Sequence, residues 1–254
     1  MKNSYKGKWI PIERSDGKSY INVCKFLANN LSEFKRHPSY CTVVGNDLRD
    51  RDTAVKFFNY LKENSPKIFD KINLFCLNDS IGDPNIFDID GISISPGTLR
   101  YLRVLHDIIE LDPTSILEIG GGYGGQALVT KLYNNNIDYS IIDIPEVKNL
   151  QKSYLNVLLP NNNITLISSD SIDISKEYDL IISDYCISEF DKEGVDFYIE
   201  IAKKCKTGYF TINSTGEIRE YLINKLKEVF NSVVLKEEYP LTSTHLNYYA
   251  VCKR

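Results

Sequence analysis

Residues 115–125 read Ser-Ile-Leu-Glu-Ile-Gly-Gly-Gly-Tyr-Gly-Gly. A short apolar run, Ile116 to Ile119, carries one acid, Glu118, and glycines follow at 120, 121, 122, 124 and 125. The stretch Gln126 to Leu132 then suits a helix. This pattern predicts a buried strand that turns through a glycine loop into a helix. Glycine allows positive φ and lets a ligand approach the backbone closely. The free N–H groups at the helix start favour an anion such as a carboxylate or phosphate.

Two cofactor classes use such a loop. The dinucleotide fingerprint G-x-G-x-x-G is met by Gly120, Gly122 and Gly125. It also wants an acid roughly 20 residues on, where Asp143 stands. The S-adenosylmethionine (SAM) pattern, acid-x-G-x-G-x-G, is met by Glu118, Gly120, Gly122 and Gly124, with Gly121 inside the same loop. The acid ahead of the first glycine separates the two. A SAM site uses it for the methionine end of the cofactor, whereas a nicotinamide site has no use for a charge there. The expected cofactor is therefore SAM.

From Ile116 onward strands and helices alternate. Strands are expected at about 115–119, 139–143, 164–168, 179–184 and 209–212. Helices are expected at about 124–134, 147–159, 192–204 and 217–230. Such alternation predicts a parallel, doubly wound sheet. The last two strands, 232–238 and 247–252, have only a loop through Pro240 between them and should pair antiparallel. Residues 1–90 read as a mostly helical cap, with helices near 20–31, 53–61 and 66–75 and a charged turn at 46–52. The helix expected at 98–110 puts Leu99, Leu102, Leu105 and Ile109 on one face. Residues 91–254 form the expected cofactor-binding domain.

The chain of 254 residues has a net charge of -4, with its basic residues scattered, which argues against a partner held through phosphates. No apolar stretch approaches the roughly 18 residues of a membrane span, and the first residues lack the apolar core of a signal peptide. The expected location is the cytoplasm. The six cysteines show no Cys-x-x-Cys pair and no histidine at metal-ligand spacing, so no metal is expected.

In open α/β sheets ligands sit outside the carboxyl ends of the strands. Asp143, ending the second parallel strand, could accept both ribose hydroxyls or cap the next helix. Ser169, Asp170 and Ser171, after the third, could meet adenine or form an ordinary turn. After the fourth come Asp184, Tyr185 and Glu189, candidates for acceptor binding or proton removal. Of the three histidines, His37 reads as surface and His106 as packing. His245 lies in a loop that should return toward the strand ends, where imidazole can serve as a general base.

Several segments together resemble the bacterial sugar O-methyltransferases, a class I SAM-dependent group. They are Ile94-Ser-Pro-Gly-Thr-Leu-Arg-Tyr101, Leu117-Glu-Ile-Gly-Gly-Gly-Tyr-Gly-Gly-Gln126, Asp143-Ile-Pro-Glu-Val147 and Ser183-Asp-Tyr-Cys-Ile-Ser-Glu189, with Asn78-Asp-Ser-Ile-Gly-Asp-Pro84 upstream. The likeness spans about residues 70–190. It departs at Asp184, where the family usually has Asn, and at Gly97, where it often has Thr. The resemblance implies a Rossmann-like class I methyltransferase sheet with an antiparallel C-terminal hairpin. It adds Tyr101, Gln126, Ile144, Asp184 and Tyr185 to the expected cofactor contacts. It implies methyl transfer to a hydroxyl of a sugar, as a nucleotide-sugar or glycan in surface polysaccharide synthesis, with His245, Glu189 and Asp184 as catalytic candidates. A small-molecule or glycan acceptor is the expected partner, and a homodimer is an allowed assembly. The alternatives are a methyltransferase on another, phosphorylated metabolite and a nicotinamide-dependent sugar oxidoreductase.

Overall fold

Glu118 lies on a central strand of a seven-stranded sheet, and the glycine loop leaves the carboxyl end of that strand. The computed structural model describes residues 20–44, 50–172, 175–213, 215–243 and 246–254, and within the helix ending at Val44 it describes no side chain beyond Cys41. The N-terminal part supplies α1 (Tyr20–Leu27), α2 (Pro38–Val44), α3 (Arg51–Asn64), α4 (Pro66–Phe69) and α5 (Ile72–Phe75). Asp50 begins α3 by accepting the Thr53 N–H at 2.8 Å. The helix expected at 66–75 is two short ones, and the one expected at 20–31 stops at Leu27.

A short hairpin follows, β1 (Phe87–Ile89) and β2 (Ile92–Ile94), which the helical reading of residues 1–90 missed. Asp90 and Gly91 have φ of 52° and 80° at its turn. Two positive φ values in a two-residue loop suit Asp-Gly, and this dipeptide between alternating apolar residues was the available signal. The hairpin straddles residue 90.

Helix α6 (Pro96–Ile109) starts on a polar knot. Ser95 Oγ accepts the Thr98 N–H at 3.1 Å, Pro96 takes the first turn, and the Asp79 carboxylate bonds Ser95 N, Ser95 Oγ and Thr98 Oγ1 at 2.7–2.8 Å. Beyond it come β3 (Ser115–Ile119), α7 (Gly125–Tyr133), β4 (Asp138–Asp143), α8 (Pro145–Leu158), β5 (Thr165–Ser168) and β6 (Tyr178–Asp184). The chain closes with α9 (Lys192–Ala202), β7 (Cys205–Ile212), α10 (Gly216–Val229), β8 (Ser232–Glu237) and β9 (Tyr248–Lys253).

The sheet order is β5-β4-β3-β6-β7-β9-β8. The first five strands in that order run parallel, and β9 inserts antiparallel to both β7 and β8. The C-terminal hairpin is therefore as the short connection through Pro240 requires. Side-chain alternation divides the core between the two faces. Ile116, Tyr139, Ile141, Leu180 and Ile182 pack with α6, α7 and α8 and with Phe34, Phe57, Phe58 and Phe75 of the N-terminal part. Leu117, Ile119, Ile142, Ile181 and Phe210 pack with α9 and α10. The N-terminal helices thus share one core with a face of the sheet.

Candidate functional site

A cavity of about 210 Å³ opens at the carboxyl ends of the parallel strands. Its floor is the end of β3 and the glycine loop, with Glu118, Ile119, Gly120, Gly121 and Gly122 on the wall. Gly120, Gly122 and Gly124 take φ of 72°, 54° and 95°. At Gly120 a Cβ would also overlap Cys186 Sγ and Cβ from the loop after β6. At Gly121 it would lie 2.7 Å from Ile141 Cγ2 and 3.0 Å from Glu118 Oε2. The glycines leave bare backbone where any side chain would collide.

Glu118 is 2% exposed. Its Oε2 accepts the Tyr139 hydroxyl at 3.0 Å, the one protein donor to this carboxylate among the described residues. Burial pushes Glu118 up to about 8, against the hydrogen bond from Tyr139. Asp143 ends β4 on the same wall. It accepts Ile144 N at 2.8 Å and Gln151 Nε2 at 2.9 Å, and burial still pushes it up to about 7. Gln151 also donates to the Gly122 carbonyl at 2.9 Å, tying the glycine loop to the Asp143 corner. Ile144 and Ser169 complete that side.

The end of β6 and the loop after it form another wall through Asp184, Tyr185, Cys186, Glu189 and Phe190. Asp184 forms a buried ion pair with Arg100 of α6, and each side chain is 7% exposed. The Arg100 guanidinium lies 4.7 Å from the Tyr101 ring centroid and 5.4 Å from that of Tyr185. Tyr185 holds φ of 70°, a left-handed conformation uncommon for a bulky residue. Its hydroxyl donates to the buried Glu238 and lies 2.9 Å from Thr242 Oγ1. Glu189 accepts Asn213 Nδ2 at 3.1 Å.

Ten of the expected cofactor residues thus meet on one cavity: Tyr101, Glu118, Gly120, Gly121, Gly122, Asp143, Ile144, Ser169, Asp184 and Tyr185. Gly124, Gln126, Asp170 and Ser171 do not line it. Gly124 caps α7 against Leu155. Gln126 is buried and turns toward Thr130 Oγ1 at 3.5 Å, while Asp170 and Ser171 face solvent. Of the catalytic candidates, Glu189 and Asp184 line the cavity, but Asp184 is committed to Arg100. His245 lies outside the described residues. His106 packs edge-on against Tyr60 at 5.8 Å, away from the cavity.

Sequence reasoning missed seven lining residues: Tyr20 of α1, Arg100, Ile119, Ile142, Cys186, Phe190 and Tyr198. Arg100 sits one position beside the expected Tyr101, and its helix reads as amphipathic with the apolar face elsewhere. A charged residue buried on such a helix shows no period of its own. Tyr20 comes from the far end of the chain and had no local signal.

Neither a protein-family model nor a curated protein sequence matches this chain. Among solved structures, a candidate O-methyltransferase from Nostoc punctiforme aligns over 92% of this chain and 93% of its own, with a TM-score of 0.52 at 12% identity. The N-terminal domain of EvdMO1, solved in the presence of SAH (S-adenosylhomocysteine) and D-fucose, aligns over 67% of this chain and 90% of its own, with a TM-score of 0.49 at 14% identity. The methyltransferase domain of bacterial CtHen1 aligns over 61% and 97%, with a TM-score of 0.48 at 12% identity. The Nostoc likeness covers nearly all of both chains, and with the strand order it shows the fold: a Rossmann-like class I methyltransferase sheet with an antiparallel C-terminal hairpin.

Proposed function

We propose that this chain is a SAM-dependent O-methyltransferase that acts on a hydroxyl of a sugar or similar polyol. One observation carries the reading: Glu118, the bare glycine backbone and Asp143 line one cavity at the carboxyl ends of strands in methyltransferase order. The cavity fits SAM chemically. Glu118 has an oxygen to spare for the methionine ammonium, and Asp143 can accept ribose hydroxyls. SAM supplies an activated methyl group when bound. The chain's own task is to align the acceptor hydroxyl, exclude water and take up a proton. Glu189 on the wall and His245 in the β8–β9 connection are the candidate bases. The sugar acceptor rests on the sequence resemblance.

The strand order favours this reading over a nicotinamide-dependent oxidoreductase, whose doubly wound sheet has the order 3-2-1-4-5-6 without an inserted antiparallel strand. The Tyr-x-x-x-Lys spacing that short-chain sugar oxidoreductases would need occurs at Tyr221 and Lys225 on α10 and at Tyr249 and Lys253 on β9. Tyr221 bonds Asp196 at 2.8 Å, and none of the four residues lines the cavity.

Incubation of the full chain with methyl-labelled SAM and a panel of free sugars, deoxysugars, nucleotide-sugars and their phosphorylated counterparts tests the proposal. Label should appear on a sugar hydroxyl. Transfer to a non-sugar metabolite would move the acceptor class, and tight NAD binding without SAM binding would remove the methyltransferase reading.

A further inference from the structure

Tyr123 is the one residue with a side chain inside the glycine run, and nothing above gives it a role. It is fully buried. Its hydroxyl lies 3.3 Å from Asn78 Nδ2. Its ring packs edge-on against Tyr154 at 4.9 Å, Phe34 at 5.2 Å and Tyr101 at 5.9 Å. Lys35, 1% exposed, brings its ammonium to 5.0 Å from the Tyr123 centroid and 5.3 Å from that of Tyr154, and donates to the Asn78 carbonyl. Burial pushes Lys35 down to about 8, against the pull of Asp79. Asn78 also donates to Thr98 Oγ1 at 2.7 Å and accepts the Tyr154 hydroxyl at 2.5 Å.

These contacts join four separate segments: residues 34–35, residues 78–79, the start of α6, and α8 through Tyr154. All converge on one loop side chain. Lys35, Asn78 and Tyr123 do not line the cavity. Five glycines in six positions lose more backbone freedom on ordering than an ordinary loop of that length. A loop that samples many shapes binds with its intrinsic affinity reduced by the fraction in the competent shape. Desolvating a lysine beside aromatic faces is costly, and the cation–π attraction there is stronger than at a surface. The neighbouring glycines cooperate: a Cβ on Gly125 would overlap the Tyr101 and Tyr123 rings, so the rings can close over the loop.

We propose that Tyr123 is a latch by which Lys35 and Asn78 of the N-terminal region hold the glycine loop in its cofactor-binding shape. Lys35 and Asn78 are then positioning residues for cofactor affinity, although neither touches the cofactor. The inference rests on the SAM reading of the site.

Calorimetry of the full chain with SAH tests it, alongside thermal melting. The variants are Tyr123→Phe, Asn78→Ala, Lys35→Met and the double Lys35→Met/Tyr123→Phe. Leu61→Ala, in the buried face of α3, is the control for general loss of stability. Each latch variant should raise the SAH Kd by about five-fold or more, through a smaller competent fraction. The double variant should cost less than the product of the singles, because both act on one latch. Leu61→Ala should lower Tm and leave the Kd within about two-fold, since the loop equilibrium is untouched. Folded latch variants with wild-type affinity would overturn the proposal, as would a control that loses affinity in the same proportion to its Tm. If Lys35→Met fails to fold, Tyr123→Phe decides alone, since it removes one hydroxyl from an otherwise intact ring. Failure of the wild-type chain to bind SAH would instead remove the SAM reading, and the latch with it.

Discussion

Tyr139 donates its hydroxyl to Glu118 Oε2 at 3.0 Å, from the strand beside the one that carries the acid. The bond favours the carboxylate, yet burial outweighs it and Glu118 stands at about 8. Asp143 across the floor stands at about 7 for the same reason. Near neutral pH these two buried carboxyls therefore hold protons where a cationic, polyhydroxylated cofactor needs carboxylates.

Cofactor binding should release those protons. The methionine ammonium favours ionised Glu118, and ribose hydroxyls favour ionised Asp143, so affinity should rise from about pH 6 to about pH 8. Calorimetry near pH 7 in two buffers of different ionisation enthalpy should give different observed enthalpies. Glu118→Gln should shrink that difference and weaken SAH binding by roughly ten-fold, the scale of one charge-assisted hydrogen bond. A buffer-independent enthalpy would contradict this.

The same groups set a trend in the stability of the ligand-free chain. Unfolded Glu and Asp lose their protons near 4.3 and 3.9, whereas the native site keeps them to about 8 and about 7. Over that window the native state holds more protons than the unfolded state, so these two groups lower stability as pH rises. Urea melts across the window should show Glu118→Gln gaining on the wild type with increasing pH. A constant gap between the two would contradict the assignment.

The buried Arg100–Asp184 pair predicts a non-additive pattern. Arg100→Met or Asp184→Leu alone should cost about 3–5 kcal/mol, because the remaining charge is left uncompensated, whereas the double variant should recover most of the loss. Denaturant melts of the three variants check this. Additive losses would show that the two side chains act independently.

What the sequence disclosed follows from the range of its physics. Glu118, the glycines and Asp143 are legible because strand, turn and helix starts are local patterns, and the strand ends follow from topology once the alternation is read. The Asp90-Gly91 hairpin is equally local, but its strands are only three residues each, too short for their alternation to stand out beside the longer helices of residues 1–90. Arg100, Tyr20 and the Tyr185–Glu238 bond were not legible, since each depends on segments 50 or more residues apart meeting in space. Gln126 and Asp170 fit a motif in order along the chain, but neither lines the cavity.

Proton removal separates two variants. Glu189→Gln should lower kcat by about 10²-fold with SAH affinity unchanged if the carboxylate on the wall is the base. His245→Ala should do so instead if the base is the imidazole, and the wild-type rate should then rise through one ionisation between about pH 6 and 8. Steady-state rates with the acceptor found by label transfer check both. Unchanged kcat in both variants would leave alignment alone to drive transfer.

The central claim is that the Glu118 loop binds SAM, and isothermal calorimetry of the full chain with SAH and, separately, with NAD tests it most directly. The account predicts one SAH site per chain, no NAD site, and a loss of about 1.5–3 kcal/mol in SAH binding for Asp143→Ala, the range of a hydrogen bond to a charged group. NAD binding in the absence of any SAH binding would contradict it.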